Sequence, residues 1–185
     1  MEELVMSNRE ILDACERIGA DLTNRLKGVS GIPLFVCVMK GAINFMVDLM
    51  QNVEMDILTD YIQIRSFEGM ESTGKVTLIK DASHRVKDRT VVIVEDVVDT
   101  GISMDFLTKH FQELGAKEVI VVALFDKKDA RKVPVKIDYV GKVLEGSKFL
   151  VGYGLDYRGL MRNVPFVYVP TKDEVAEWDA LLEKR

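Results

Sequence analysis

Three uninterrupted apolar runs constrain this chain more than any other feature: Leu34-Phe35-Val36-Cys37-Val38-Met39, Val91-Val92-Ile93-Val94, and Val119 to Phe125. None of them alternates polar with apolar residues, so none suits a strand with one face in water. A short apolar run of this kind reads as a strand covered on both sides, as in a parallel sheet with helices on each face. The intervening segments carry helical spacing. Ser7 and Glu10 stand at capping-box distance, and Ile11, Leu12, Cys15, Ile18, Leu22 and Leu26 then recur at helical intervals, which predicts an amphipathic helix over residues 8–27. Gly28 and Gly31-Ile32-Pro33 end it. Further helices are predicted over residues 42–51, from Met104 to Leu114 with Ser103 as cap and Gly115 as stop, and around 172–183. Additional strands are predicted within 53–65 and over 76–80, 90–94, 138–143 and 164–169, with a short extended piece at 149–152. Strands alternating with helices predict an α/β fold: a parallel twisted sheet flanked by helices. No repeat, low-complexity tract or linker interrupts residues 1–185, so a single domain is expected.

Composition narrows the function classes. With 185 residues, 48% of them apolar and 30% charged, the chain has enough material for a core without disulfide staples. A net charge of −5 argues against a general nucleic-acid binder but leaves room for a local basic pocket. Cys15 and Cys37 both fall in apolar patterns and read as buried thiols of a reducing compartment. No Cys/His cluster has zinc-site spacing. The start of the chain lacks a signal-peptide pattern, and no apolar stretch reaches the ~20 residues of a membrane span. A cytoplasmic protein without a membrane partner is the expectation. His84 reads as a loop residue and His110 as a helix-surface residue.

The chemistry gathers behind the second apolar run. Parallel sheets bind ligands at the carboxyl ends of their strands, and there the sequence places Glu95-Asp96-Val97-Val98-Asp99-Thr100-Gly101-Ile102-Ser103. Two adjacent carboxylates at the end of a buried strand are costly unless a sugar diol, a metal or a cation compensates them. The small-residue loop that follows opens a helix. Its backbone N–H groups, the hydroxyls of Thr100 and Ser103 and the helix N-terminus make an anion cradle, with Gly101 free to take a positive φ.

The thirteen residues Val91 to Ser103, taken together, resemble the phosphoribosyl-pyrophosphate motif of type I phosphoribosyltransferases. The resemblance extends from about residue 34 to 169 and is most similar to the 6-oxopurine branch. It implies a fold in which the terminal segments form a small hood over the sheet. Met39-Lys40-Gly41-Ala42 is similar to the turn that binds pyrophosphate there, in which the peptide before the lysine is often cis; this assigns Lys40 and Gly41 to pyrophosphate, with Arg162 as a further contact. In Leu124-Phe125-Asp126-Lys127-Lys128 the resemblance gives Lys127 the purine O6, with Lys128 as the more solvent-facing alternative. An ammonium only donates hydrogen bonds, so it selects a carbonyl oxygen over adenine's amino group. Lys148 to Tyr157 matches the segment that holds the base: Phe149 stacks on it, the Leu150 carbonyl accepts from its edge, and Asp156 is implied both to line the purine site and to help hold Mg²⁺. Glu95 and Asp96 are implied to bind ribose hydroxyls directly or through the metal, residues 99–103 the 5′-phosphate, and Asp99 to act as general base at purine N7. Ser66-Phe67 falls in a lid loop where the family usually has Ser-Tyr; Phe67 lacks the phenol hydroxyl, so only a backbone contact is carried over.

The implied activity is purine salvage. Phosphoribose would pass from phosphoribosyl pyrophosphate to N9 of hypoxanthine or guanine, with Mg²⁺ as cofactor, in a homodimer or homotetramer. Two alternatives stay open on sequence alone: a xanthine-preferring transferase, and a regulatory relative that binds RNA on the same fold. The charge of −5 and the Lys127/Phe149 pair speak against the second.

Overall fold

The three apolar runs become neighbouring strands in the middle of one sheet. The computed structural model describes residues 1–66, 76–146 and 148–183. Along the chain lie β1 (Glu3–Met6), α1 (Asn8–Leu26), β2 (Leu34–Met39), α2 (Ile43–Met50), β3 (Leu58–Ser66), β4 (Val76–Lys80), β5 (Thr90–Val98), α3 (Ile102–Glu113), β6 (Glu118–Lys127), β7 (Tyr139–Leu144), β8 (Val167–Val169) and α4 (Lys172–Glu183). Six strands form the main sheet in the order β4-β3-β2-β5-β6-β7. All neighbours run parallel except the β3–β4 pair, which is antiparallel.

Both faces of the central strands are covered, which explains the lack of alternation. Phe35 and Cys37 of β2, Val92 and Val94 of β5, and Ile120, Val122 and Leu124 of β6 pack with α1 and α2. The intervening residues, Leu34, Val36 and Val38, Val91 and Ile93, and Val121 and Ala123, pack with Met104, Leu107 and Phe111 of α3. Each fully buried side chain of this size contributes about 1.5–3 kcal/mol relative to exposure. Helix α1 begins with the expected capping box, in which the Ser7 N–H donates to the Glu10 carboxylate (2.7 Å) and the Glu10 N–H to Ser7 Oγ (3.3 Å). Cys15 and Cys37 are buried free thiols. Burial first, then nearby carboxylates, pushes both to about 12, so neither is a thiolate at neutral pH.

The terminal segments meet in a second, two-stranded sheet in which β1 pairs antiparallel with β8. Val151 bridges to Tyr168 of β8, and both pack on Trp178 of α4. The sequence had not marked β1, because four residues without a periodic pattern become a strand only through a partner at the other end of the chain. Other boundaries moved as well. Residues 53–57 precede β3 rather than join it, and the last strand is confined to Val167–Val169. β5 continues through Glu95-Asp96 to Val98, because ladder pairing with β6 overrides the polar side chains. His110 is not a surface residue: only 18% exposed, it meets both Asp81 carboxylate oxygens through Nε2 at 2.9 and 3.0 Å. Among the described residues no helix is long and apolar enough to cross a membrane.

Chain order reverses between β2 and β5. From β2 the sheet is built outward through β3 and β4, and from β5 in the other direction through β6 and β7. A crevice therefore opens at the carboxyl ends of β2 and β5, the place where sheets of this type bind ligands.

Away from this crevice, toward the start of β3, buried Asp60 fixes the segment that follows β4. Its carboxylate accepts from the backbone N–H groups of Tyr61 (2.8 Å), Ser83 (2.6 Å) and His84 (2.9 Å), and lies 2.9 Å from His84 Nδ1. Burial would raise its pKa, but the His84 ring and these N–H groups outweigh burial and hold it at about 2. Because the folded value lies below the unfolded one, the stabilisation is complete above about pH 4 and is lost as pH falls through about 2; its size is roughly 2 kcal/mol. Asp60→Asn is expected to lower Tm by about 4–8 °C at pH 7 and to flatten the acid limb of the stability profile between about pH 4 and 2. Thermal melts across pH check both.

Candidate active site

The carboxyl end of β5 lies at the bottom of the crevice. Glu95 is buried at 7% exposure, and Asp96 beside it is half-buried. The Asp96 N–H donates to Glu95 Oε1 (3.1 Å) and the Val97 N–H to Asp96 Oδ1 (2.8 Å), so both carboxylates are held by backbone. Burial, and then the charge of Asp96, pushes the Glu95 carboxyl well above the usual carboxylate range. Among the described residues no cation pairs with either carboxylate. A sugar diol or a hard metal ion would supply the missing compensation.

Gly41 lies directly on this pair. A Cβ there would sit 1.6 Å from Asp96 Oδ2 and 2.6 Å from its Cγ. The Met39–Lys40 peptide leading into this turn is cis, as in the resemblance, and Lys40 is exposed. Above the turn comes a third layer, since a Cβ on Gly154 would lie 2.1 Å from the Gly41 carbonyl oxygen. Arg162 Nη1 donates to the Gly154 carbonyl (2.5 Å), its Nη2 pairs with Asp156 Oδ1 (2.7 Å), and Asn44 Nδ2 donates to the Arg162 carbonyl (3.2 Å). Lys40, Gly41, Arg162 and Asp156 thus belong to one neighbourhood. Asp156 is engaged with Arg162 and with the Gly159 N–H (2.6 Å). Among the described residues no group of three or more His, Cys, Asp or Glu side chains converges as a ready metal cage.

The loop after β5 turns into α3 at Gly101, which takes φ 85° and is the N-cap. Ser103 is therefore the second helical residue and not the cap, a correction to the sequence reading. The positive φ lets glycine make the turn without a capping side chain. The Ile102 N–H lies 3.5 Å from Thr100 Oγ1, and the N–H groups of the first turn of α3 have no acceptor within the helix, as an anion site requires. Residues 131–133 lie against the loop from the other side. The Lys132 and Val133 N–H groups donate to the Thr100 carbonyl at 2.9 and 3.0 Å, and Arg131 Nε donates to the Asp99 carbonyl at 3.2 Å.

Lys127 is the last residue of β6, and its side chain is 11% exposed. Its Nζ lies 3.7 Å from Asp99 Oδ2, whose side chain is 46% exposed. Lys128 is exposed, so of the two lysines only Lys127 points into the site. On the far side Phe149 is 50% exposed and makes a T-shaped pair with Tyr157 (centroids 6.0 Å, planes at 85°). Tyr157 in turn donates to Asp179 of α4 (2.9 Å) and packs on Trp178. Leu150 is buried beside Phe149. Ser66 ends β3, while Phe67 lies outside the described residues. The sequence reading gave no role to Arg131 or to Asp126, a buried acid that pairs with it. A single arginine in a turn carries no periodicity that would mark it.

This arrangement of crevice, acidic strand end and glycine-opened helix defines a class, and the chain belongs to the phosphoribosyl transferase domain family, whose model matches residues 5–158. It is 36% identical over 170 residues to a hypoxanthine-guanine phosphoribosyltransferase of Staphylococcus aureus, covering 90% of this chain and 92% of that one. Among solved structures, a hypoxanthine phosphoribosyltransferase from Staphylococcus aureus superposes with a TM-score of 0.86 at 34% identity, with 94% of each chain covered. The Trypanosoma cruzi hypoxanthine phosphoribosyltransferase in complex with the product IMP superposes with a TM-score of 0.85 at 27% identity, covering 93% of this chain and 95% of that one.

Gly41→Ala tests the layered contact. The new methyl would have to displace a carboxylate already tied to the Val97 N–H. Overpacking of this kind costs about 1–3 kcal/mol. We expect a lowered Tm together with at least about a 10-fold fall in phosphoribosyl transfer, read by calorimetry and steady-state kinetics.

Proposed function

We propose that residues 1–185 act as one phosphoribosyltransferase domain that moves the 5-phosphoribosyl group of phosphoribosyl pyrophosphate to N9 of hypoxanthine or guanine, giving IMP or GMP and pyrophosphate. One observation carries the base assignment: the Asp99 carboxylate and the buried Lys127 ammonium stand side by side, 3.7 Å apart, at the ends of neighbouring strands. A 6-oxopurine presents O6 and N7 along one edge. Lys127 donates to O6, and Asp99 accepts the proton from N7 as the N9 lone pair closes on C1′. The C1′–N9 bond forms, the C1′–oxygen bond to pyrophosphate breaks, and the leaving group departs with the bonding pair. Phe149 covers the face of the base with its open side, and the Leu150 carbonyl accepts from the base edge.

The remaining roles follow from charge. Glu95 and Asp96 bind the ribose hydroxyls, which supply the compensation that the buried pair lacks. Thr100, Gly101, Ile102 and Ser103 hold the 5′-phosphate at the start of α3. Lys40, the Gly41 backbone and Arg162 take up the charge of the departing pyrophosphate. The oxygen-only donors Glu95, Asp96 and Asp156 fit Mg²⁺, a hard ion that keeps waters and shares substrate oxygens rather than requiring a full protein cage. When bound, Mg²⁺ neutralises pyrophosphate charge. The lid assignment of Ser66 and Phe67 and a homodimeric or homotetrameric assembly rest on the family resemblance. A xanthine-preferring site gains no support from the geometry, since Lys127 and Asp99 read only the O6/N7 edge that hypoxanthine, guanine and xanthine share.

Product analysis with each purine, phosphoribosyl pyrophosphate and Mg²⁺ tests the reading. Nucleotide should form from hypoxanthine and guanine; adenine as the best substrate would overturn the role of Lys127. Asp99→Asn should lower kcat by about 100-fold or more, in the range of a lost general base, while changing KM for phosphoribosyl pyrophosphate far less. An unchanged kcat removes Asp99 from the role.

A further inference from the structure

Asp99 opens the loop after β5 and Lys127 ends β6, so their pairing requires something to fix the distance between a loop and a strand end. Ladder pairing of β5 with β6 runs only to Val98 and Asp126, one residue short of both. Beyond that point the Arg131 side chain spans the gap. Arg131 uses Nε to donate to the Asp99 carbonyl (3.2 Å) and Nη2 to pair with the carboxylate of Asp126. Asp126 is 5% exposed and immediately precedes Lys127. Arg131 therefore touches the backbone of the proposed base and, through Asp126, the residue next to the O6-binding lysine. Gly101 completes the fit. A Cβ there would lie 2.4 Å from the Val133 carbonyl oxygen and 2.8 Å from Arg131 Cδ, so the phosphate loop and the arginine are packed against each other without slack.

Resting on the functional reading above, we infer that Arg131 is a positioning residue for the transfer reaction: it locks the Asp99–Lys127 spacing to the O6/N7 edge of the base. It acts through Asp99 and contacts no substrate. The argument depends on the fork of the guanidinium. Two directed N–H groups at a fixed angle bind a carbonyl and a carboxylate at once, which an ammonium on a flexible stem does not reproduce. Lysine at this position would still neutralise buried Asp126, so fold and charge balance persist while the bond to the Asp99 carbonyl is lost.

The test is a double-mutant cycle on the full chain with hypoxanthine, phosphoribosyl pyrophosphate and Mg²⁺. Arg131→Lys should melt within a few degrees of the parent and lose about 10- to 100-fold in kcat, the scale of a misplacement of about 1 Å. In an Asp99→Asn background the same substitution should cost less than about 3-fold, because the group it positions is already gone. A parental kcat in Arg131→Lys, or an equal loss in both backgrounds, overturns the inference. Should Arg131→Lys not fold, the Arg131→Gln/Asp126→Asn pair, which removes the buried charge together with its partner, carries the same two expectations. A parent that forms no nucleotide from any purine brings down the functional reading, and an Asp99→Asn variant with full kcat removes Asp99 from the base role; either takes the inference with it. Parental activity, an impaired Asp99→Asn and an unaffected Arg131→Lys bring down the positioning role alone.

Discussion

Two carboxylates at the end of a strand that is buried on both faces set the terms for everything around them. Glu95 and Asp96 stand near the end of β5, directly after Val91 to Val94, which are fully buried. Ionised groups in such a place destabilise a fold unless they are held and compensated. The holding is visible in the backbone N–H groups of Asp96 and Val97. Among the described residues no cation supplies the compensation, and burial leaves the Glu95 carboxyl favouring its proton. A fold that keeps this arrangement spends stability on a binding function. Gly41 and Gly154 follow from it: the turn after β2 approaches the carboxylates until no side chain fits, and the 152–156 segment approaches that turn in the same way.

The parts of this design that could be read from the sequence share one property: their cause is local. Double burial of β2, β5 and β6 leaves uninterrupted apolar runs, and the residues from Glu95 to Ser103 are contiguous, so strand, acidic pair and anion loop appeared together. The open φ at Gly101 was legible for the same reason. What escaped depends on partners distant in sequence. β1 becomes a strand because Glu3 and Leu4 find Val169 and Tyr168. His110 is drawn inward by Asp81 and by stacking near Phe106. Ser103 lost its capping role because a glycine in the left-handed region starts the helix two residues earlier. Arg131 carried no signal at all, since its importance lies in what its two ends touch.

The site draws on two structural sources with different support. Its ribose-phosphate half comes from β2, β5 and the start of α3, inside the main sheet and between its two helical layers. Its base half joins the end of β6 to the segment carrying Phe149. That segment is tied down by Lys148 to Glu3 of β1 (2.7 Å), by the Val151–Tyr168 bridge, and by Tyr157 against Asp179 and Trp178 of α4. Three of these anchors belong to the first or last elements of the chain.

This division has a consequence for how substrate identity is read. A phosphate cradle and an acidic pair suit any ribose phosphate, so placing them in the best-packed part of the fold fixes the common chemistry. The groups proposed to select the base have more freedom: an aromatic half in solvent, and an ammonium opposite a carboxylate across a gap that the sheet ladder does not close. Discrimination by Lys127 depends on the cost of leaving a buried donor without an acceptor, and that cost is large only while the lysine cannot swing toward water. Its 11% exposure meets that condition, and solvent-facing Lys128 does not. On the proposed roles, selectivity among purines is a property of how firmly the end of β6 is held, and only secondarily of which residues stand there.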